Sequence, residues 1–126
     1  MQPRVGEALA DAMAACDYVQ RTIAGLAVED YVRDEDARSI VERKLIVIGE
    51  AFVRVRQHDP ETFEGIADAR QAIALRNIIV HDYNDIDDAR VFGIVSELLP
   101  ILRDSIARVL ADDADRPEEA WEVNEP

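Results

Sequence analysis

The spacing of the apolar residues constrains the fold of this chain more than any other feature. In four long segments, apolar or small side chains recur at alternating steps of three and four residues, which places them on one face of an α-helix. The segments are 4–26, 35–57, 66–82 and 87–111. Because no run of alternating β-branched residues indicates a sheet, the pattern predicts an all-α fold.

Short connections join these segments, and four helices with short connections are typical of an antiparallel four-helix bundle. We expect one helical domain over residues 1–111. An acidic tail follows over 112–126, which we expect to be flexible and which carries the only tryptophan, Trp121. Gly49 interrupts good helix formers in the second helix, which predicts either a neighbouring helix that crosses closely or neutral drift.

Aspartates mark where the helices begin, since a carboxylate at the N-cap accepts hydrogen bonds from the first turn. The candidate caps are Asp34 or Asp36 for the second helix, Asp59 before Pro60, and Asp85 or Asp87 for the fourth helix.

The sequence indicates a cytoplasmic protein without a membrane segment. Its single cysteine, Cys16, lies on the apolar stripe of the first helix and can form no internal disulfide. No uncharged apolar stretch approaches the roughly 18 residues that suggest a membrane span. Acidic residues occupy the N-terminal segment, where a signal peptide needs an apolar stretch.

No cofactor or metal motif is present. There is no Gly-rich phosphate loop, and two histidines, His58 and His81, cannot form an H-E-x-x-H zinc site. The segment DYNDIDD resembles a calcium loop only superficially, because Ile86 and Gly93 stand where ligands are needed. We therefore expect neither a metal ion nor a cofactor.

The net charge of −13 argues against nucleic acid as a partner, because phosphate contacts need Lys and Arg. The charge is uneven, however, since residues 111–126 hold seven acidic residues and one Arg. The remainder holds 20 acidic and 13 basic residues, a net charge of −7. All but one of the 14 basic residues are Arg, the better residue for a bidentate phosphate contact.

The third segment mixes polar residues with its apolar ones. One stripe at steps of three and four contains Ile66, Ala69, Ile73, Arg76, Val80 and Tyr83, and another face contains Leu75, Ile78 and Ile79. With apolar residues on much of its circumference, this helix is expected to be central. Asn77 and His81 lie one turn apart beside the Arg76 face. Either Arg76 is ion-paired and His81 caps the helix, or these residues form a site at an edge or subunit boundary.

The motif R-N-x-x-x-H-x-Y, present as Arg76, Asn77, His81 and Tyr83, resembles the signature of the HEPN superfamily and of its HepT-like toxins. The likeness extends to IVERKLIVIGEAF (40–52), LRNIIVHDYNDIDDARVFGIV (75–95) and LLPILRDSI (98–106), and so covers most of residues 5–110. Two features depart from the pattern. The stretch IADARQAIAL lacks the tryptophan often found before the motif, and the acidic tail has no counterpart.

The resemblance implies a HEPN-like homodimer that acts as a metal-independent endoribonuclease on RNA. Arg76 would hold the phosphate, His81 would transfer protons, and Asn77 would support them. The partner would be a minimal, MntA-like nucleotidyltransferase antitoxin, which in this family can transfer AMP to the motif tyrosine, here Tyr83.

Two other functions stay open at this point. The chain could be a non-catalytic HEPN binding module that is the partner or AMPylation substrate of the nucleotidyltransferase, which the net charge of −13 favours. It could also be a purely structural helical dimer. The intact pair of Arg76 and His81 weighs against both, since either protein could lose one of them without penalty.

Overall fold

The computed structural model describes residues 1–115, apart from the side chain of Tyr83. Four long helices are α1 (Pro3–Ile23), α3 (Glu35–His58), α5 (Ala69–His81) and α6 (Asp88–Ala114). Two short ones are α2 (Val28–Arg33) and α4 (Pro60–Glu64), and a 3-10 turn spans Tyr83–Asp85. The predicted all-α fold is confirmed. Residues 116–126, with Trp121 and most of the predicted tail, lie outside the described residues.

The helix α3 lies at the centre of the described fold and packs against α1, α2, α4 and α5. Two contacts show that α1 and α3 are antiparallel. Asp11 lies 3.9 Å from Arg54, and the Lys44 ammonium lies 4.6 Å from the ring centre of Tyr18. On its other side, α1 packs against α6.

The core consists of the apolar stripes that the sequence predicts. α3 buries its complete stripe, which consists of Val41, Leu45, Ile48, Phe52 and Val55. Cys16 is buried on the stripe of α1, and burial raises the pKa of its thiol to about 12. The cysteine therefore stays protonated and packs as a small apolar side chain.

Capping aspartates begin three of the helices. Asp34 and Asp87 each accept a hydrogen bond from the backbone N–H three residues later, at 3.0 and 3.1 Å. Asp59 does the same for α4 at 3.1 Å, with Pro60 in the first turn. The predicted helix starts are confirmed, with Asp34 chosen over Asp36 and Asp87 over Asp85.

Two of the predicted connections contain helices. α2 buries Tyr31, and α4 buries Phe63, so each short helix carries one aromatic side chain into the core. Apolar periodicity does not detect such helices because they contribute a single buried position each. None of the helices in the described part of the chain has the length and apolar character needed to cross a lipid bilayer.

The helix α5 differs from its prediction in both place and burial. It begins at Ala69 rather than at 66, after Asp68, whose φ of 68° interrupts the helical path. Its main long-helix neighbour is α3. α5 is covered mainly on the side toward α3, and on other sides Ile78 and Val80 are 47% and 40% exposed. The expectation of a central helix was therefore wrong.

Candidate functional site

Arg76 lies where α5 crosses α3 at Gly49. A β-carbon added to Gly49 would stand 2.2 Å from the β-carbon of Arg76 and 3.2 Å from the carbonyl oxygen of Ala72. Only glycine allows two helices to approach this closely at that point. The close crossing predicted at Gly49 is confirmed, and it holds the stem of Arg76 against the backbone of α3.

The guanidinium of Arg76 is held from two sides. Nη1 donates a hydrogen bond to Oδ1 of Asn77 at 2.8 Å, and Nη2 lies 3.6 Å from Oε1 of Glu50. Nε is buried and has no hydrogen-bond partner in the described part of the chain. The side chain is 26% exposed, so its head reaches the surface while its stem is covered. A guanidinium fixed in this way can bind an anion with little further loss of rotamer freedom.

His81 is the last residue of α5, and its side chain is exposed. It follows Arg76 by five residues, about 7.5 Å along the helix axis. Among the described side chains, the hydrogen bonds that hold Arg76 do not extend to His81. The imidazole is therefore accessible to a ligand or to a second chain.

Tyr83 begins the 3-10 turn that follows α5. Its side chain lies outside the described part of the structure, so its place in the site stays a prediction. Of the four motif residues, the structure joins Arg76 to Asn77 directly and places His81 at the end of the same helix.

Glu50 belongs to this site although the motif does not include it. Its carboxylate pairs with Arg76 across the α3–α5 contact, and Gly49 precedes it in the chain. The sequence contained a partial signal for it, because a long side chain beside a glycine at a predicted helix crossing can reach the flank of the crossing helix. The sequence could not show which residue pairs with Glu50, because the spacing determines neither which helix faces α3 at this point nor the register of that helix.

A comparison with family models shows which family the chain belongs to. The model described as "Ribonuclease HepT-like" matches residues 12–109. The chain belongs to the HepT-like ribonuclease family. Comparisons with curated proteins and with solved structures gave no match.

The matched part of this HepT-like ribonuclease includes Gly49, Glu50 and the entire R-N-x-x-x-H-x-Y motif. The resemblance drawn from the motif is therefore confirmed at the level of the family. Membership indicates a ribonuclease of the HEPN type. The guanidinium and imidazole that the site presents suit this activity, because they bind phosphate and transfer protons.

Apolar side chains are exposed on α5, the helix that carries most of the motif of this HepT-like ribonuclease, and on α6, the next long helix. Ile78 of α5 is 47% exposed, and Ile101 of α6 is 49% exposed. Between α5 and α6 lies a shallow pocket of about 210 Å³, lined by Asp68, Gln71, Ile94, Glu97, Leu98 and Ile101. Gln71 and Ile78 are seven residues apart and share one side of α5. We call the surface formed by Ile78, Ile94 and Ile101 the α5–α6 face.

Within residues 1–115, no three His, Cys, Asp or Glu side chains are grouped as ligands for a metal ion.

Proposed function

We propose that this HepT-like ribonuclease is the toxin of a toxin–antitoxin pair in the cytoplasm and cleaves RNA through Arg76 and His81 of two chains. One observation supports this above the others. Asn77 and Glu50 hold the Arg76 guanidinium at the surface of the helix that ends at His81. A fixed guanidinium forms two parallel hydrogen bonds to a phosphate, and histidine exchanges protons readily near neutral pH.

The proposed reaction uses the 2′-hydroxyl of the RNA as the nucleophile, with no metal ion. A base removes the 2′-hydroxyl proton while the oxygen attacks the adjacent phosphorus. An acid then protonates the leaving 5′-oxygen, so the products end in a 2′,3′-cyclic phosphate and a 5′-hydroxyl. Arg76 stabilises the extra negative charge that the phosphorane carries in the transition state.

Two chains meet the requirement for two proton-transfer groups. Each chain has a single motif histidine, His81, whereas the reaction needs one base and one acid. A twofold axis near the end of α5 would bring two His81 and two Arg76 into one groove. Dimerisation and cleavage would then be inseparable.

The α5–α6 face is the surface that we assign to this homodimer. It exposes Ile78 and Ile101 on the helix that carries the motif and on the next long helix. Large apolar side chains grouped on a surface mark sites of association, because burial removes them from water. Contact there would place the exposed His81 of each chain near the boundary between the subunits.

Asn77 and Glu50 act as positioning residues in this proposal. Asn77 fixes one side of the guanidinium through its hydrogen bond, and Glu50 fixes the other. The Glu50 carboxylate is half exposed, so its pair with Arg76 is weakened by solvent. A phosphate that forms two charged hydrogen bonds can therefore displace Glu50 from part of the guanidinium.

The proposed partner is a minimal nucleotidyltransferase that serves as the antitoxin. It would transfer AMP from ATP to the phenol oxygen of Tyr83 and release pyrophosphate. Tyr83 follows His81 by two residues, at the start of the turn after α5. The added phosphate would bind the Arg76 guanidinium and exclude the RNA backbone.

The alternative is a non-catalytic HEPN module that binds this nucleotidyltransferase or serves as its substrate. Two observations favour it. Glu50 already forms an ion pair with the Arg76 guanidinium in the single chain, so a phosphate must displace it. The net charge of −13 also repels RNA.

Expression of the protein alone in a bacterial host distinguishes the two functions. Wild type and the Arg108→Ala control, which alters an exposed arginine of α6, should arrest growth. Arg76→Ala and His81→Ala should not arrest growth, although they accumulate as folded protein. Equal arrest by His81→Ala would overturn the catalytic assignment. A harmless wild type that still binds the nucleotidyltransferase would establish the binding module.

A further inference from the structure

The seam between α1 and α3 carries basic side chains that the motif does not use. Arg4, Asp11 and Tyr18 recur at intervals of seven residues and so share one side of α1, and each of them lies beside a basic side chain of α3. We call the basic side chains of the seam the basic strip; it consists of Arg4, Arg21, Lys44, Arg54 and His58.

One end of the basic strip forms a pocket of about 390 Å³. Its polar lining consists of Arg4, Glu7, Asp11, Arg54 and His58. Asp11 lies 3.9 Å from Arg54, and the side chains are 65% and 49% exposed. Such a pair contributes little in water, so an incoming phosphate can compete with Asp11 for Arg54.

At the other end of the basic strip stands Tyr18, which is 43% exposed. The Lys44 ammonium lies 4.6 Å from the ring centre, and the Arg21 guanidinium carbon lies 5.3 Å from it. An exposed aromatic ring beside cations is the arrangement with which proteins bind single-stranded nucleic acid. A base stacks on the ring, and the cations contact the phosphates.

The charge of the basic strip differs from that of the remaining chain. Residues 1–115 contain 23 acidic and 13 basic residues. In the strip, four permanent cations and His58 lie beside three carboxylates of the described chain: Glu7 and Asp11 in the pocket, and Glu50 one turn from Arg54. Charges within a Debye length of about 8 Å dominate the local potential. A polyanion would therefore bind here in preference to the acidic surfaces.

A single helix separates the basic strip from Arg76. Glu50 and Arg54 are four residues apart on the exposed side of α3, and side chains at this spacing are neighbours. Glu50 contacts Arg76 of α5, whereas Arg54 contacts Asp11 of α1. A strand bound along the seam can therefore reach Arg76 by crossing one helix, whose diameter is about 10 Å.

We propose that the basic strip binds single-stranded RNA next to the bond that is cleaved, with a base stacked on Tyr18 and phosphates on the cations. The substrate class, RNA, rests on the proposed function. From Arg4 to Arg21 the strip extends about 25 Å along α1.

Fluorescence anisotropy with a labelled single-stranded 2′-O-methyl RNA tests this proposal. The probe has no 2′-hydroxyl to attack phosphorus, so binding is measured apart from cleavage. The strip variant combines Arg21→Ala, Lys44→Ala and Arg54→Ala. The matched control combines Arg33→Ala, Arg90→Ala and Arg108→Ala, which removes the same charge from exposed arginines outside the strip.

The slope of log affinity against log salt concentration should fall by about 2 in the strip variant, since each lost single-strand phosphate contact removes about 0.7. The control should retain the wild-type slope. Tyr18→Ala should weaken binding about tenfold, whereas Tyr18→Phe, which keeps the stacking surface, should not. The comparison of Tyr18→Ala with Tyr18→Phe also tests the proposal if the triple variant does not fold.

Equal slopes in the strip and control variants, together with wild-type binding by Tyr18→Ala, would overturn the proposal. That result would mean that the basic strip binds a ligand other than RNA, such as an acidic peptide. Cleavage of unmodified RNA is assayed in parallel. If binding depends on the basic strip but the RNA is not cleaved, the ribonuclease proposal is wrong and the strip proposal stands. If the RNA is cleaved but binding does not depend on the basic strip, the strip proposal is wrong and the ribonuclease proposal stands.

Discussion

Gly49 and Arg76 meet at one point of contact between α3 and α5. A β-carbon on Gly49 would lie 2.2 Å from Cβ and 2.6 Å from Cγ of Arg76, so the stem of the arginine occupies the space that glycine leaves. The next residue, Glu50, meets the guanidinium at 3.6 Å. Helix packing and an ion pair therefore position the same side chain, one at its stem and the other at its head.

Gly49→Ala should lower both stability and RNA cleavage. The methyl group would meet the stem of Arg76 and the backbone oxygen of Ala72, and the backbone can yield only if a helix moves. Overpacking costs about 1–3 kcal/mol, which exceeds the gain of about 1 kcal/mol from replacing a helical glycine. Thermal unfolding and a cleavage assay measure the two effects.

Gly93→Ala is the matched control for this substitution. Gly93 lies inside α6, and a β-carbon there would meet nothing within 4 Å among the described residues. Its melting temperature should rise, because only the helix propensity changes. A Gly49→Ala protein that is as stable and active as Gly93→Ala would show that the close crossing does not position Arg76.

The sequence predicts this structure where local patterns determine it. The stripe from Val41 to Val55, the cap at Asp34 and the crossing at Gly49 all follow from spacing or from one residue's conformational preference. The exposure of Ile78 could not be predicted in this way, because an apolar residue has the same spacing whether a second helix covers it or not. The pair of Glu50 with Arg76 depends on the register of two helices, which neither segment encodes alone.

Glu42→Gln should stabilise the protein near neutral pH. Burial raises the pKa of Glu42, nearby Asp88 raises it further, and Arg38 lowers it in part. A carboxyl with a raised pKa in the folded state contributes stability when protonated and loses that contribution as pH rises through this pKa. The amide removes the cost of ionisation, so the gain in melting temperature should be present at neutral pH and shrink in acid.

Thermal unfolding across this pH range provides the measurement, with Glu7→Gln on the exposed side of α1 as the control. The melting temperature of the control at neutral pH should stay at the wild-type value, because the Glu7 side chain is exposed to water. A Glu42→Gln protein whose gain grows as the pH falls would contradict the assigned direction of the pKa.

Ile101→Glu should convert the proposed homodimer into a monomer. A charge at the centre of an apolar interface lacks a partner and must lose its hydration. Val32→Glu is the matched control, because Val32 is also an exposed apolar residue but lies on α2, outside the α5–α6 face. Light scattering should give a dimer for wild type and Val32→Glu. A wild-type monomer at micromolar concentration would contradict the two-chain site.

Co-expression with the nucleotidyltransferase should add one or more AMP units to the wild-type chain and none to Tyr83→Phe. The phenylalanine variant keeps the ring but lacks the oxygen that accepts the nucleotide. Intact-mass and peptide mass spectrometry locate the modification. If the unmodified toxin is fully neutralised, steric binding by the antitoxin must replace the proposed modification.

Cleavage of single-stranded RNA in the presence of EDTA tests the central claim most directly. Wild type and Arg108→Ala should yield 2′,3′-cyclic phosphate and 5′-hydroxyl ends. Arg76→Ala and His81→Ala, verified as folded dimers, should cleave at least about a hundredfold more slowly, in line with the loss of a phosphate clamp or a proton-transfer group. A folded His81→Ala dimer that cleaves at the wild-type rate, or wild-type cleavage that stops in EDTA and returns with magnesium, would contradict the account.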